Sequence, residues 1–267
     1  MSKHLLALTI AAIAVMGART EAATVTLGTA GNYGVLAGTT VTNTGPTVVN
    51  NGDVGVSPGS AITGFPPGLV VTPFSAHAAD ASTLQAQLDL TTAYNVAAGL
   101  APTQDLTGQN LGGLTLLPGV YFFSSSAQLT GILTLNNLGD KNAQFVFQIG
   151  STLTTASASS VVQINTIDEP GCNIFWQVGS SATLGTATSF EGHILALTSI
   201  TMTTGATIQD GSALARNGAV TLDSNTITNC NTTPSGGAVP TPLPSAAVMG
   251  LSLLLPLAWL ARKRLRI

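Results

Sequence analysis

Charge is what this chain has least of. Asp, Glu, Lys and Arg make up 7% of its 267 residues, against about 25% in ordinary soluble domains. Cysteine occurs twice, and aromatic residues reach only 5%. Each shortage excludes something. Eight Lys and Arg give no basic footprint for a phosphate backbone, so nucleic acid is not expected as a partner. Two cysteines are too few for a disulfide-rich scaffold or a structural zinc site. A disordered polyelectrolyte combines high charge with low hydrophobicity, whereas the hydrophobic share here is an ordinary 45%. No Gly-rich phosphate loop, nucleophile elbow or metal-ligand spacing is found, so neither cofactor nor metal is expected.

What the chain does have is threonine, 38 of them, with 29 glycines. Its surface must be built from Thr, Ser, Asn, Gln and Gly. The two ends read as appendages. Residues 1–23 have the pattern of a secretory signal: Lys3 and His4, an apolar run from Leu5 to Met16, and small residues at Ala22 and Ala23. Residues 231–244 form a Pro/Thr/Gly-rich linker. Residues 245–267 are apolar to Leu260 and close on Arg262, Lys263, Arg264 and Arg266, a stop-transfer pattern. Between residues 24 and 240 only Lys141 and Arg216 are basic against ten acids, a net charge of -8. The region 24–230 is thus acidic, sparsely charged and expected to fold as one domain.

Within it, residues 24–74 alternate short β-like runs, such as Thr39-Thr40-Val41-Thr42, with turn signals such as Asn51-Gly52-Asp53 and Pro66-Pro67-Gly68. Residues 75–99 lack Pro and contain no Gly before Gly99. Ala86, Leu90, Ala93 and Ala97 share one helical face, so the spacing predicts a helix over 75–99 with Ser75 as its N-cap. Beyond residue 111 β-character returns. Gln144 to Gly150 and Asn173 to Gly179 repeat one pattern, each running into a Thr/Ser segment. Four short blocks can be set in register: Thr155 to Ala158, Thr186 to Ser189, Thr204 to Thr207 and Asp223 to Thr226. Their steps are 31, 18 and 19 residues, the long one containing the loop Thr166 to Cys172, and a period near 18 to 19 suits the coils of a β-solenoid.

The runs Gly52 to Gly59, Leu117 to Tyr121, Gln144 to Thr155, Cys172 to Ala196 and Leu214 to Leu222 together resemble the microbial ice-binding β-solenoid family. The resemblance spans residues 26–229. It implies a mostly β fold: a discontinuous right-handed β-solenoid of triangular section, one long α-helix alongside, and coils not stacked in chain order. It also implies a non-enzymatic protein that adsorbs to ice and inhibits recrystallisation. Family members often carry Thr-Ala/Gly-X-Thr/Asn on the ice-facing side, which makes Thr155, Ser157, Thr186, Thr188, Ser189, Thr204, Thr207, Ser224 and Thr226 the candidate contacts. Asp223 departs from that pattern by bringing a charge. Thr152, Thr154, Thr183, Thr201, Thr203 and Thr221, on the preceding strands, form a possible additional face. The tail from Val239 to Pro244 with its apolar run and basic end resembles a PEP-CTERM sorting signal, with Thr241 where Glu is usual. That implies a Gram-negative source, handling by an exosortase at the inner membrane, and a secreted or cell-surface destination. A plain C-terminal anchor is the alternative, and a monomer is expected.

β-Solenoids also host polysaccharide-cleaving enzymes, which need clustered carboxylates with basic or His partners. Glu191 and His193 could share a strand face, and Asp210 and Asp223 fall near successive turns, but each of the three acids reads better as a solvated carboxylate. His77 falls in the first turn of the expected helix with no partner in view. Trp176 sits in an alternating apolar strand and is expected in the core. Cys172 and Cys230 can form a disulfide closing the last coils or remain as two thiols. The competing function is a surface or matrix protein that holds polysaccharide or neighbouring cells, which an exposed aromatic strip would favour.

Overall fold

The computed structural model describes residues 24–167 and 172–230; the expected signal, linker and tail lie outside them. The described chain is mostly β, with one α-helix, and its paired strands are parallel. Two sheets form. The smaller has seven strands, running in space from Ala127–Leu129 through Leu153–Thr155, Ala182–Leu184, Ile200–Met202, Val220–Asp223 and Thr40–Thr44 to Ala61–Thr63. The fifteen-stranded sheet has two arms, because its two longest strands, Ser189–Ala196 and Thr207–Ala215, bend in the middle. Their first halves pair with Ser160–Ile164 and Thr226–Thr228. Their second halves pair with Ile174–Val178 and Tyr33–Ala37.

Each coil therefore crosses the small sheet, then one arm, then the other, with a bend between each. Parallel strands require such crossovers, and here the next strand of the same coil supplies them. The bend between the arms falls at Gly192 and at Asp210-Gly211, where the register shifts. A Cβ on Gly211 would lie 1.9 Å from the Gly192 carbonyl oxygen, so neighbouring coils approach too closely there for any side chain.

Coils do not stack in chain order. Tyr33–Ala37 lies between Thr207–Ala215 and Asp53–Val56, and Thr40–Thr44 lies beside Val220–Asp223. The N-terminal coils are thus added to the C-terminal end of the stack. The interior is a ladder of apolar residues. Phe147 and Trp176 occupy one register position and stack at 3.8 Å, flanked by Tyr121 and Phe190. Trp176 is fully buried and donates its indole N–H to the Glu191 carbonyl. Burying such rings contributes several kcal/mol each at about 25 cal/mol per Å².

The helix spans Ala81–Gly99 rather than 75–99. Its N-cap is Asp80, not Ser75: the Asp80 carboxylate accepts from the Thr83 N–H while the Thr83 hydroxyl closes the reciprocal bond. Residues Ala76–Ala78 instead form an edge strand on Asp53–Val56. His77 accordingly precedes the helix and does have partners, bonding Ser75 Oγ at 3.0 Å and Asp80 Oδ2 at 2.9 Å. Ala86, Leu90, Ala93 and Ala97 face inward against Leu36, Val146, Phe175, Leu195 and Leu214. Gln148 ties the far end by donating to the Ala97 and Leu100 carbonyls. The structure bonds Cys172 to Cys230, across 58 residues of sequence.

Candidate functional site

On the seven-stranded sheet, side chains alternate between core and exterior. Leu153, Ala182, Leu184, Ile200, Met202, Val220, Leu222 and Val41 point inward and are buried. The positions between them fall in one line across the strands: Gln128, Thr154, Thr183, Thr201, Thr221, Thr42 and Thr63. Six consecutive strands thus carry Thr at the same outward position. All six side chains are exposed or half-buried. Strand neighbours lie about 4.8 Å apart, so the file repeats hydroxyl and methyl at that interval. Thr is β-branched and stiff at χ1, which keeps the row defined without long-range support.

A second row runs on the upstream side. Ala127, Leu153, Ala182 and Ile200 donate backbone N–H groups to the carbonyls of Thr152, Ser181, Ser199 and Ala219, and Thr40 pairs with Ala61. Those five coils therefore place Thr152, Ser181, Ser199, Ala219 and Thr40 side by side. Neither row contains a charge. The downstream rim differs. Thr203 donates to the Leu184 carbonyl at 2.8 Å, and Asp223, paired with Thr44, holds the Thr204 and Ser224 hydroxyls.

The nine residues first expected to make contact divide among three places. Ser157, Thr186 and Thr204 are exposed at the bend between the small sheet and the first arm, and Ser224 is half-buried there. Ser189, Thr207 and Thr226 lie in one register position on that arm, a different sheet from the Thr file. Thr155 and Thr188 are buried and cannot touch anything outside. Their hydroxyls bond each other at 2.8 Å, and Thr155 also accepts the Gly185 N–H. The difference from the expected contacts is one of register. Ser160 pairs with Ser189, so Ser157 to Ser160, not Thr155 to Ala158, matches Thr186 to Ser189. The left-handed residue of the bend confirms this alignment: Ala158, Ala187, Gly205 and Ser224 all have positive φ.

Thr155 is then a structural residue. Thr155→Val keeps its shape but leaves the Gly185 N–H without its acceptor. A loss of about 1–3 kcal/mol in urea denaturation is expected, with surface binding unchanged. Binding that falls in parallel with stability would return Thr155 to the site.

Thr42 and Thr63 were not among the expected contacts. Their strands read as β-runs in the sequence, but only the out-of-order stacking brings them to the file. Glu191, Asp210 and Asp223, expected as solvated carboxylates, are half-buried. Asp53 is fully buried and accepts the Ser75 N–H. Glu191 is half-buried; burial raises its carboxyl above the usual value, a hydrogen bond from Gln163 opposes this, and Asp210 adds to the rise. His193 is buried with Nδ1 2.8 Å from Ser212 Oγ, and desolvation pushes it down to about 4. A neutral imidazole enclosed this way is a core group. Among the described residues no three His, Cys, Asp or Glu gather as a metal site.

Comparison with known proteins places this geometry. The family model described as Ice-binding-like matches residues 35–228. An ice-binding protein of Nostoc sp. (strain HG1) is 58% identical over 99% of this chain and 97% of its own length. Among solved structures, an ice-binding protein from an Antarctic biological consortium superposes with a TM-score of 0.72 at 46% identity, covering 85% of this chain and 96% of that one. That of the Antarctic ascomycete Antarctomyces psychrotrophicus gives 0.72 at 44% identity, over 77% of this chain and 98% of its own.

Proposed function

Because the chain belongs to the Ice-binding-like family, we propose that it adsorbs to ice through the seven-stranded sheet and so inhibits crystal growth and recrystallisation. The observation that carries this reading is the unbroken file of six threonines, Thr154 through Thr63, with an uncharged Ser/Thr row beside it. Strand spacing sets one repeat of the grid and same-face spacing of roughly 7 Å along a strand sets the other; both are comparable to oxygen spacings in hexagonal ice. Hydroxyls anchor water and methyls order its neighbours. Long charged side chains would hold water in other geometries, which is why low charge matters on this face. The activity is adsorption, with no covalent bond made or broken.

Several finer features belong to the same reading: a right-handed solenoid of triangular section, a monomer, and export with sorting through the tail to the surface of a Gram-negative cell. Of the assigned contacts, Thr154, Thr183, Thr201, Thr221, Thr42 and Thr63 form the centre, Thr152 the neighbouring row, and Thr186, Thr203 and Thr204 the rim. The polysaccharide alternative loses its main support, since no Phe, Tyr or Trp among the described residues is exposed. The test is a recrystallisation assay on the purified chain: ice grains should stay small at micromolar protein. Grain growth equal to buffer alone would overturn the reading.

A further inference from the structure

The threonine file contains one joint that no chain crosses. Thr154, Thr183, Thr201 and Thr221 follow one another along successive coils, and so do Thr42 and Thr63. Thr221 and Thr42, however, sit on strands at opposite ends of the described chain. Their alignment is left to noncovalent contacts.

A ladder of buried residues runs along the adjoining bend, between the small sheet and the first arm. Ser159, Thr188, Ala206, Asn225 and Thr47 each precede one member of a single arm register, Ser160, Ser189, Thr207, Thr226 and Val48, and all five are buried. The polar members bond the backbone of the coil before them. Ser159 donates to the Leu129 carbonyl at 3.0 Å, and Thr188 to that of Ala156 at 3.2 Å. Ala206 has no polar side chain, and the longer amide of Asn225 reaches across to its coil. Asn225 Nδ2 donates to the Thr203 carbonyl at 2.9 Å and to that of Ala206 at 3.0 Å, while Oδ1 accepts the Asp223 N–H at 2.6 Å. The backbone of Asn225 faces the other way. Its N–H donates to Thr47 Oγ1 at 3.0 Å, 178 residues away in sequence, and its carbonyl accepts the Val48 N–H at 2.9 Å. Asn225 thus ties three coils together, and two of its bonds cross the joint. A fully bonded amide in a corner closed to water is stiff, and removing it orphans its partners.

We propose that Asn225, seated on Thr47, is a positioning residue for ice adsorption: it holds Thr42 and Thr63 in one grid with the four threonines of the C-terminal coils. Being buried, it touches no ice itself. The inference rests on the ice reading above. Six threonines act as one surface only while every step keeps the strand spacing. A slipped or tilted joint would leave two shorter grids, of four and two.

Recrystallisation inhibition by the full chain tests this, read as the concentration that halves grain growth. Asn225→Ala should raise that concentration about threefold or more. The discriminating readout is coupling. Thr63→Ala should cost about twofold in the otherwise unaltered chain and nothing in Asn225→Ala, whereas Thr183→Ala, on the other side of the joint, should cost the same in both. Equal costs for Thr63→Ala in the two backgrounds would make Asn225 a structural residue only and overturn the proposal, as would full potency in Asn225→Ala. Should Asn225→Ala fail to fold, Thr47→Val, which removes one bond across the joint, takes its place in the same comparison, and Thr47→Ser, which keeps the hydroxyl, should retain potency. Thr47→Val as potent as the unaltered chain would then overturn the proposal. No inhibition by the unaltered chain would instead overturn the ice reading, and this inference with it.

Discussion

Thr201→Tyr should lower ice-growth inhibition by about tenfold or more, a loss of about 1.4 kcal/mol or more of adsorption energy. Thr201 lies at the middle of the file, paired with Thr183 on one side and Thr221 on the other. A phenol there stands several ångström above its neighbours and holds the lattice off them. Dispersion contacts vanish over such gaps, so the damage extends well beyond one residue. The side chain points outward, so the circular dichroism spectrum and thermal midpoint should be unchanged. Gln209→Tyr is the informative control. Gln209 is exposed on the first arm, beside Thr207 of the other candidate row. Full activity in Gln209→Tyr with loss in Thr201→Tyr assigns binding to the small sheet. The reverse result would move it to Ser189, Thr207 and Thr226.

The second large effect is acid destabilisation through His193. Burial holds this imidazole neutral, with its pKa down at about 4 against 6.5 for the free side chain. The unfolded chain therefore binds a proton that the native one does not between those values, and stability rises with pH across the window. On acidification from pH 6.5 to about 4, roughly 3 kcal/mol should be lost at 1.36 kcal/mol per pH unit. Urea denaturation at a series of pH values reads this directly, and His193→Asn should flatten the slope. Equal slopes in both proteins would assign the effect elsewhere. Glu191 works in the opposite direction, since its carboxyl is raised and protonation favours the native state. Asp80 acts in the same direction as His193 but in a separate, lower window. Burial alone would raise its carboxyl, but the hydrogen bonds from the Thr83 N–H, Ser82, His77 and the Thr83 hydroxyl hold it well below the usual carboxylate range.

The helix shows how local information succeeds and where it stops. Ala86, Leu90, Ala93 and Ala97 were legible as one face because a 3.6-residue period is a property of the segment alone. Its start was not, because Ser75 and His77 are claimed by a strand partner at Val54 to Val56, some twenty residues earlier. A similar contrast holds in the coils. The alternation of Thr183 with Ala182 and Leu184 fixes which side chains face out. Pairing Ser157 rather than Thr155 with Thr186 depends on the offset between their coils, which the ladder sets at 29 residues both at Leu153 with Ala182 and at Ser160 with Ser189. A two-residue error of that kind leaves the polar pattern looking intact while exchanging a buried hydroxyl for an exposed one.

By itself the sequence determined the class of surface: few charges, many threonines, short β-runs, one helix, and the family its runs resemble. These follow from composition and local period, which need no partner. Tertiary structure decided which threonines form one file, that Thr42 and Thr63 extend it, and that Thr155 and Thr188 serve the core. Strand register and coil order are long-range hydrogen-bonding choices between segments up to 180 residues apart, and no stretch of sequence carries them alone.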